Sequence, residues 1–181
     1  MRYDVYDRLG AIHWKWMDDP MLMPWYRYLI TRSLKWFAGE SGKVLEIGSG
    51  DGVMAYYLTS MGFEVVGIEP EQEGIKLCKE KVPTMTVLEG NIEDIELPEA
   101  DYLYSLNTIE HVSKPERFVE AMKKIKNWGV VITDDVQLRK GGKYHTKEYS
   151  LDELKDLFKD FRTEVLDLGR LDFIGLKIHG N

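Results

Sequence analysis

Cysteine occurs once in the 181 residues, at Cys78. A lone thiol closes no intramolecular disulfide and builds no multi-cysteine metal site, so nothing marks an oxidising compartment and a cytoplasmic location is the expectation. Long apolar runs are also missing, since no stretch approaches the roughly 18 residues that a spanning helix requires. The chain opens Met-Arg-Tyr-Asp, with acids and aromatics where a secretory signal would need an unbroken apolar segment. Basic residues are the minority, 24 Lys and Arg against 31 Asp and Glu, for a net charge of -7. The basic residues are dispersed, which disfavours a nucleic-acid partner because phosphates would meet net repulsion. No internal repeat, low-complexity tract or linker breaks the chain.

What remains is a sequence 44% hydrophobic and 30% charged, enough for one substantial core and short for two. One domain over 1–181 is expected, with a helical, aromatic cap or lid over 1–40 and an α/β core over 42–181. Pro24 followed by Tyr26, Leu29, Ile30, Leu34 and Phe37 gives a helix start and an apolar stripe, closed by Gly39. Apolar strands at 44–47, 64–68, 85–88, 101–106 and 129–133 alternate with helical patterns at 53–61, 74–81 and from Pro115 onward. That alternation predicts a parallel sheet covered on both faces. Gly141-Gly142 marks a loop, and Ser150 with Glu153 forms a capping box for a further helix. Strands at 162–168 and 173–178, separated only by a turn around Gly169 and Arg170, must be antiparallel.

The chemistry gathers at Glu46-Ile47-Gly48-Ser49-Gly50-Asp51-Gly52, where three glycines alternate between a buried strand and a helix. Such a turn lets a nucleotide-like ligand approach the backbone at the carboxyl edge of the sheet. A dinucleotide dehydrogenase is the first rival. Its G-x-G-x-x-G fingerprint would place the third glycine at position 53, which is Val53, and only about 130 residues follow the turn. Glu69 ends the second strand 17 residues beyond Gly52, where a carboxylate can accept both ribose hydroxyl protons.

With these residues in place, the chain resembles the class I S-adenosylmethionine-dependent methyltransferases, in particular the small-molecule branch that includes ubiquinone and menaquinone biosynthesis methyltransferases. The likeness runs from Gly42 to the C-terminus. Val44 to Gly52 looks like the first motif of that family and Gly67-Ile68-Glu69 like its second. Gly90-Asn91-Ile92-Glu93-Asp94 resembles its adenine-edge motif, and Asn107-Thr108-Ile109-Glu110-His111-Val112 the motif after the fourth strand. The resemblance implies a Rossmann-like, seven-stranded, mostly parallel sheet in the order 3-2-1-4-5-7-6 with the last strand antiparallel. It implies S-adenosyl-L-methionine as cofactor. Glu46 and the glycine turn, with Gly48, Ser49, Gly50 and Gly52, would surround the methionine part and Glu69 would hold the ribose, with Pro70 and Asn107 also among the cofactor-binding residues. Asn91, in place of the usual Asp, and the Ile92 backbone N–H would meet the adenine.

Methyl transfer from a sulfonium is an in-line displacement at carbon, so alignment supplies much of the catalysis and catalytic residues are few. Glu110 and His111, after the fourth strand, are the candidates for the acceptor side. His111 has two roles open to it, capping the loop before Pro115 or taking the acceptor proton. His145 reads as loop packing before catalysis, and His13 and His179 as ordinary structural histidines. No metal is expected, because Asn107 replaces the first acid of the E-x-x-E-H pattern found in related quinone O-methyltransferases. Cys78, on a helix away from the site, does not suit a cysteine nucleophile, and no N-P-P-Y motif is present.

Trp14 and Trp16 cannot both face one core on one helix, so part of the aromatic set that runs from Tyr3 to Trp36 is expected to line a lid or an acceptor pocket. Partners expected are a small-molecule methyl acceptor, no membrane span and, as an oligomer, a homodimer left open. Two alternatives stand beside the enzyme: a non-catalytic cofactor-binding regulatory or partner subunit, and a protein or RNA methyltransferase.

Overall fold

The structure, a computed structural model, describes residues 4–138, 142–169 and 172–180. Tyr3, Gly141 and Arg170, named above, lie outside the described residues. Seven strands form one sheet: β1 (Lys43–Ile47), β2 (Glu64–Glu69), β3 (Thr86–Glu89), β4 (Ala100–Leu106), β5 (Ile125–Asp134), β6 (Thr163–Val165) and β7 (Phe173–His179). Their order is β3-β2-β1-β4-β5-β7-β6, and β7 runs antiparallel to both of its neighbours. The Rossmann-like arrangement implied by the motifs is the one observed.

Strand alternation divides the sheet between two cores, because successive side chains point to opposite faces. On β1, Val44 faces one core and Leu45 and Ile47 the other. The first core is covered by α3 (Pro24–Trp36), α4 (Val53–Ser60) and α5 (Gln72–Lys81). The second is covered by α6 (Glu116–Met122) and α7 (Leu151–Leu157), the latter carrying the capping box in full: Ser150 Oγ accepts from Glu153 N–H while Glu153 accepts from Ser150 N–H. Phe37, just past α3, is fully buried against Phe63, Tyr102 and Trp128. Truncating such a side chain to alanine costs about 3–5 kcal/mol, so α3 is structural core rather than a detachable cap.

Two short helices that the periodicity did not separate, α1 (Val5–Leu9) and α2 (Ile12–Asp18), precede α3. Neither carries a side-chain cap of its own. Strand six is shorter than the expected 162–168 and strand five longer than 129–133, since cross-strand pairing sets strand ends and local pattern does not see the partner. Among the described residues, no helix is long and apolar enough to cross a membrane.

Candidate active site

The carboxyl ends of β1, β2, β4 and β5 open on a cavity of about 900 Å³, a size suited to a small-molecule site. Gly48, Ser49 and Gly50 form its floor, in a turn where Gly48 and Gly50 both have positive φ. Gly50 has a second reason to lack a side chain: a Cβ there would collide with the Tyr6 hydroxyl of α1. Glu46 lines the cavity from the end of β1, is 4% exposed, and its Oε2 has no hydrogen-bond partner among the described residues. Burial first, then the Glu69 and Asp51 charges, push its carboxyl well above the usual range.

Glu69 is held by two backbone donors, Gly50 N–H at 2.7 Å and Glu71 N–H at 3.0 Å. Burial pushes its carboxyl up, and those two hydrogen bonds oppose the shift. One bond to each oxygen leaves further lone pairs for a ligand's hydroxyls. Pro70, Asn91, Asn107, Glu110 and His111 complete the sequence-derived residues that line the cavity. Asn107 is the sole non-glycine with positive φ among the described residues, at 50°, a backbone strain that tends to mark functional positions.

Two expected cofactor residues are not on the cavity wall. Gly52 turns away from it: at φ 85° it caps α4, and a Cβ there would press on Cys78 Sγ and Val82 at 3.2 Å. Its missing side chain lets the turn pack on α5, which is a structural need. The Ile92 side chain is buried in the second core, so only its backbone could meet a ligand. Asn91 Oδ1 accepts from the Glu93 N–H at 3.2 Å, which folds the side chain back on its own loop. Cys78 lies closer than expected, its Sγ 3.3 Å from the Gly50 carbonyl behind the turn, and burial pushes its thiol far up, so it serves as packing.

The acceptor side is built by two segments tied together. The Thr146 N–H and Oγ1 both donate to the Glu110 carbonyl, at 2.7 and 3.0 Å, which brings the segment after β5 onto the 3-10 turn at residues 109–111. His145 therefore stands beside His111, ring to ring at 5.0 Å, and lines the cavity with Asp134 of β5. His145, read above as loop packing, packs on the His111 loop and also lines the cavity, a position local sequence does not show because it does not reveal which loops the fold draws together. His111 Nδ1 lies 3.1 Å from the Tyr144 carbonyl, so Nδ1–H donates and Nε2 is the basic nitrogen of the neutral ring. Burial lowers its pKa. Glu110, 1% exposed, accepts from Thr133 Oγ1 at 2.9 Å.

Glu110, His111 and His145 each offer a ligand atom within 4.8 Å of the others, a spacing a divalent ion could bridge. The Thr133 and Tyr144 hydrogen bonds already orient the first two as a proton-bearing network. The fourth wall was hidden in the sequence. His13 of α2, passed over above, donates its backbone N–H to Asp51 Oδ2, and its Nδ1 lies 3.0 Å from Asp51 Oδ1. Trp14 Nε1–H donates to the Asp51 carbonyl at 2.8 Å. Asp51 thus caps α2 from across the fold. Trp14 and Trp16 both pack against the first core, contrary to the expectation that one helix could not turn both to it; Trp14 also meets Tyr56, while Trp16 lines the cavity with Trp25 and Tyr26.

Fold and turn together define a Rossmann-like domain with a glycine-floored cavity at the carboxyl edge of its sheet. Residues 45–133 match the family model described as a methyltransferase domain. An uncharacterized methyltransferase of Alkaliphilus oremlandii is 24% identical over 71% of this chain and 58% of its own length. The mitochondrial ubiquinone biosynthesis O-methyltransferase of Schizosaccharomyces pombe is 24% identical over 74% of this chain and 54% of its own. The chain thus spans little more than half the length of the curated relatives it matches. Among solved structures, a SAM-dependent methyltransferase from Aquifex aeolicus aligns with TM-score 0.72 at 24% identity, over 95% of this chain and 99% of that one. Magnesium protoporphyrin IX methyltransferase from Synechocystis PCC 6803, solved with bound SAH, aligns with TM-score 0.76 at 11% identity, over 98% and 97%. Residues 45–133 thus match a methyltransferase domain, within a fold shared with S-adenosylmethionine-dependent methyltransferases.

Proposed function

We propose that this chain transfers the methyl group of S-adenosylmethionine to a small-molecule acceptor, in line with the breaking sulfur–carbon bond. The observation that carries the reading is one cavity joining the Gly48–Gly50 turn and Glu69 to Glu110 and His111. In this reading the turn and Glu46 hold the methionine part, Glu69 accepts the ribose hydroxyls, and Pro70 and Asn91 border the adenine. The cofactor supplies an electrophilic methyl. The chain's own part is to align the acceptor, exclude water and take its proton on His111 Nε2.

The covering helices are α1 and α2, which we read as a lid: Tyr6 rests on the turn at Gly50, and Asp51 holds His13. A cavity of about 900 Å³ suits a small molecule better than a protein or RNA acceptor, and the reading places the chain in the cytoplasm. A purely regulatory cofactor binder would have no use for the Glu110–His111 pair on the wall of the same cavity. Calorimetric titration with S-adenosylhomocysteine tests the cofactor, with an expected micromolar Kd, on the order of 6–8 kcal/mol. Heat with NADH and none with either adenosyl ligand would return the dehydrogenase reading.

A further inference from the structure

We propose that His13, held in place by Asp51, binds the carboxylate of the cofactor's methionine part. The inference rests on the methyltransferase reading and deepens it with a cofactor-binding residue outside the motifs. The methionine end of S-adenosylmethionine carries an ammonium and a carboxylate, and each needs a partner once it leaves water. Glu46, whose buried Oε2 has no hydrogen-bond partner among the described residues, suits the ammonium, whose charge favours an ionised carboxylate beside it. The ligand's own carboxylate would be repelled by Glu46 and Glu69 and has to find its donor elsewhere.

The glycine turn has few donors to spare. Gly48 N–H and Ser49 N–H both donate to the Ile68 carbonyl, at 2.9 and 3.2 Å, and Gly52 N–H to the Ser49 carbonyl at 2.9 Å. Gly50 N–H is spent on Glu69, and Asp51 does not line the cavity. The Ser49 hydroxyl is turned toward Gly67, where a Cβ would meet its Oγ at 2.6 Å. Among the described residues, the cavity-lining side chains able to carry a positive charge are His13, His111, Lys143 and His145. The last three stand on the 3-10 turn and on the segment after β5, at the acceptor end. His13 stands over the glycine turn instead, its Cε1 3.8 Å from where a Gly50 Cβ would lie.

Asp51 sets the ring for this task. A carboxylate only accepts, so His13 Nδ1–H donates to Asp51 Oδ1 at 3.0 Å while the His13 backbone N–H donates to Oδ2. Nε2 is then the nitrogen left for a ligand, and in the imidazolium it carries the second N–H. Tyr26 stacks on the ring at 4.8 Å between centroids and Trp16 meets it edge-on at 4.9 Å. The orientation is fixed before a ligand arrives, so little side-chain entropy remains to be lost on binding. Because His13 belongs to α2 and Asp51 to the turn, a carboxylate on Nε2 ties the lid to the cofactor as well as to the sheet. Asp51 acts through the ring and is a positioning residue.

The test is calorimetry with S-adenosylhomocysteine and with its decarboxylated form, which keeps the nucleoside, thioether and amine. The wild type is expected to bind the carboxylate-bearing ligand about tenfold or more tightly. His13→Ala should weaken S-adenosylhomocysteine by about tenfold or more and the decarboxylated ligand by less than about twofold. His13→Gln, which keeps a neutral N–H donor, should lose less with the same selectivity, so the comparison stands even where the alanine variant does not fold. Equal affinity of the wild type for the two ligands overturns the proposal. So does a loss that is the same for both ligands, which would assign His13 to packing of the lid, and so does no loss for either. Failure of S-adenosylhomocysteine to bind the wild type would instead bring down the methyltransferase reading and this one with it.

Discussion

Replacing Asp51 with alanine isolates what holds α2 over the site. The carboxylate accepts the His13 N–H at 3.0 Å and stands 3.0 Å from His13 Nδ1, and it is 1% exposed. Hydrogen bonds to a charged group contribute about 1.5–3 kcal/mol each, and water recovers part of that once the pocket opens. A net loss of about 2–3 kcal/mol follows, which corresponds to a roughly 30- to 150-fold shift toward the open state. The aromatic contacts oppose it. His13 stacks on Tyr26 at 4.8 Å and Trp14 meets Tyr56 at 5.1 Å, each worth about 0.5–1.5 kcal/mol. The Trp14 bond goes to the Asp51 backbone and survives the change. The helix should therefore stay docked on average and open far more often. Hydrogen exchange at the amides of residues 12–18 is expected to accelerate about 30-fold or more, while the sheet amides, protected by global stability, change little. Unchanged exchange over 12–18 would refute the reasoning and assign the docking of α2 to its aromatic faces alone.

Glu69→Ala should weaken S-adenosylhomocysteine binding by roughly 1–3 kcal/mol in calorimetry, and unchanged affinity would remove Glu69 from the ribose role. His111→Ala should lower turnover about a hundredfold or more with cofactor affinity nearly constant, since proton acceptance acts in the transition state; an equal loss in both would show a structural role. Because burial depresses the His111 pKa, its basic neutral form persists to lower pH, and the acid limb of kcat/KM should fall below the ordinary histidine value of 6.5. An acid limb above that value would contradict the assignment. Dialysis against excess chelator should leave turnover within about twofold, since Glu110 and His111 are oriented by Thr133 and Tyr144; restoration by a divalent salt after a large loss would make the three-residue cluster a metal site.

The class of fold was legible in the sequence because its signals are local. Alternating apolar strands and helical stripes have fixed periods, the Ser150–Glu153 box spans one helical turn, and the Gly48–Gly50 turn must combine glycines with a strand before and a helix after. The end of β2 put Glu69 at the edge of the sheet by register alone. Position in three dimensions was another matter. Gly52 and Gly50 look alike in the string, yet one faces α5 and the other the cavity, and only the direction in which the turn leaves β1 separates them. His13, Asp51, Asp134 and His145 are scattered over more than 130 residues, and each is an unremarkable polar residue in its own neighbourhood. What unites them is long-range closure: α2 docking on the turn through Asp51, and Thr146 binding Glu110 to draw the segment after β5 over His111. Periodicity records which face of an element is buried but not which other element buries it, so the cofactor turn could be read from the chain and the acceptor wall needed the folded molecule.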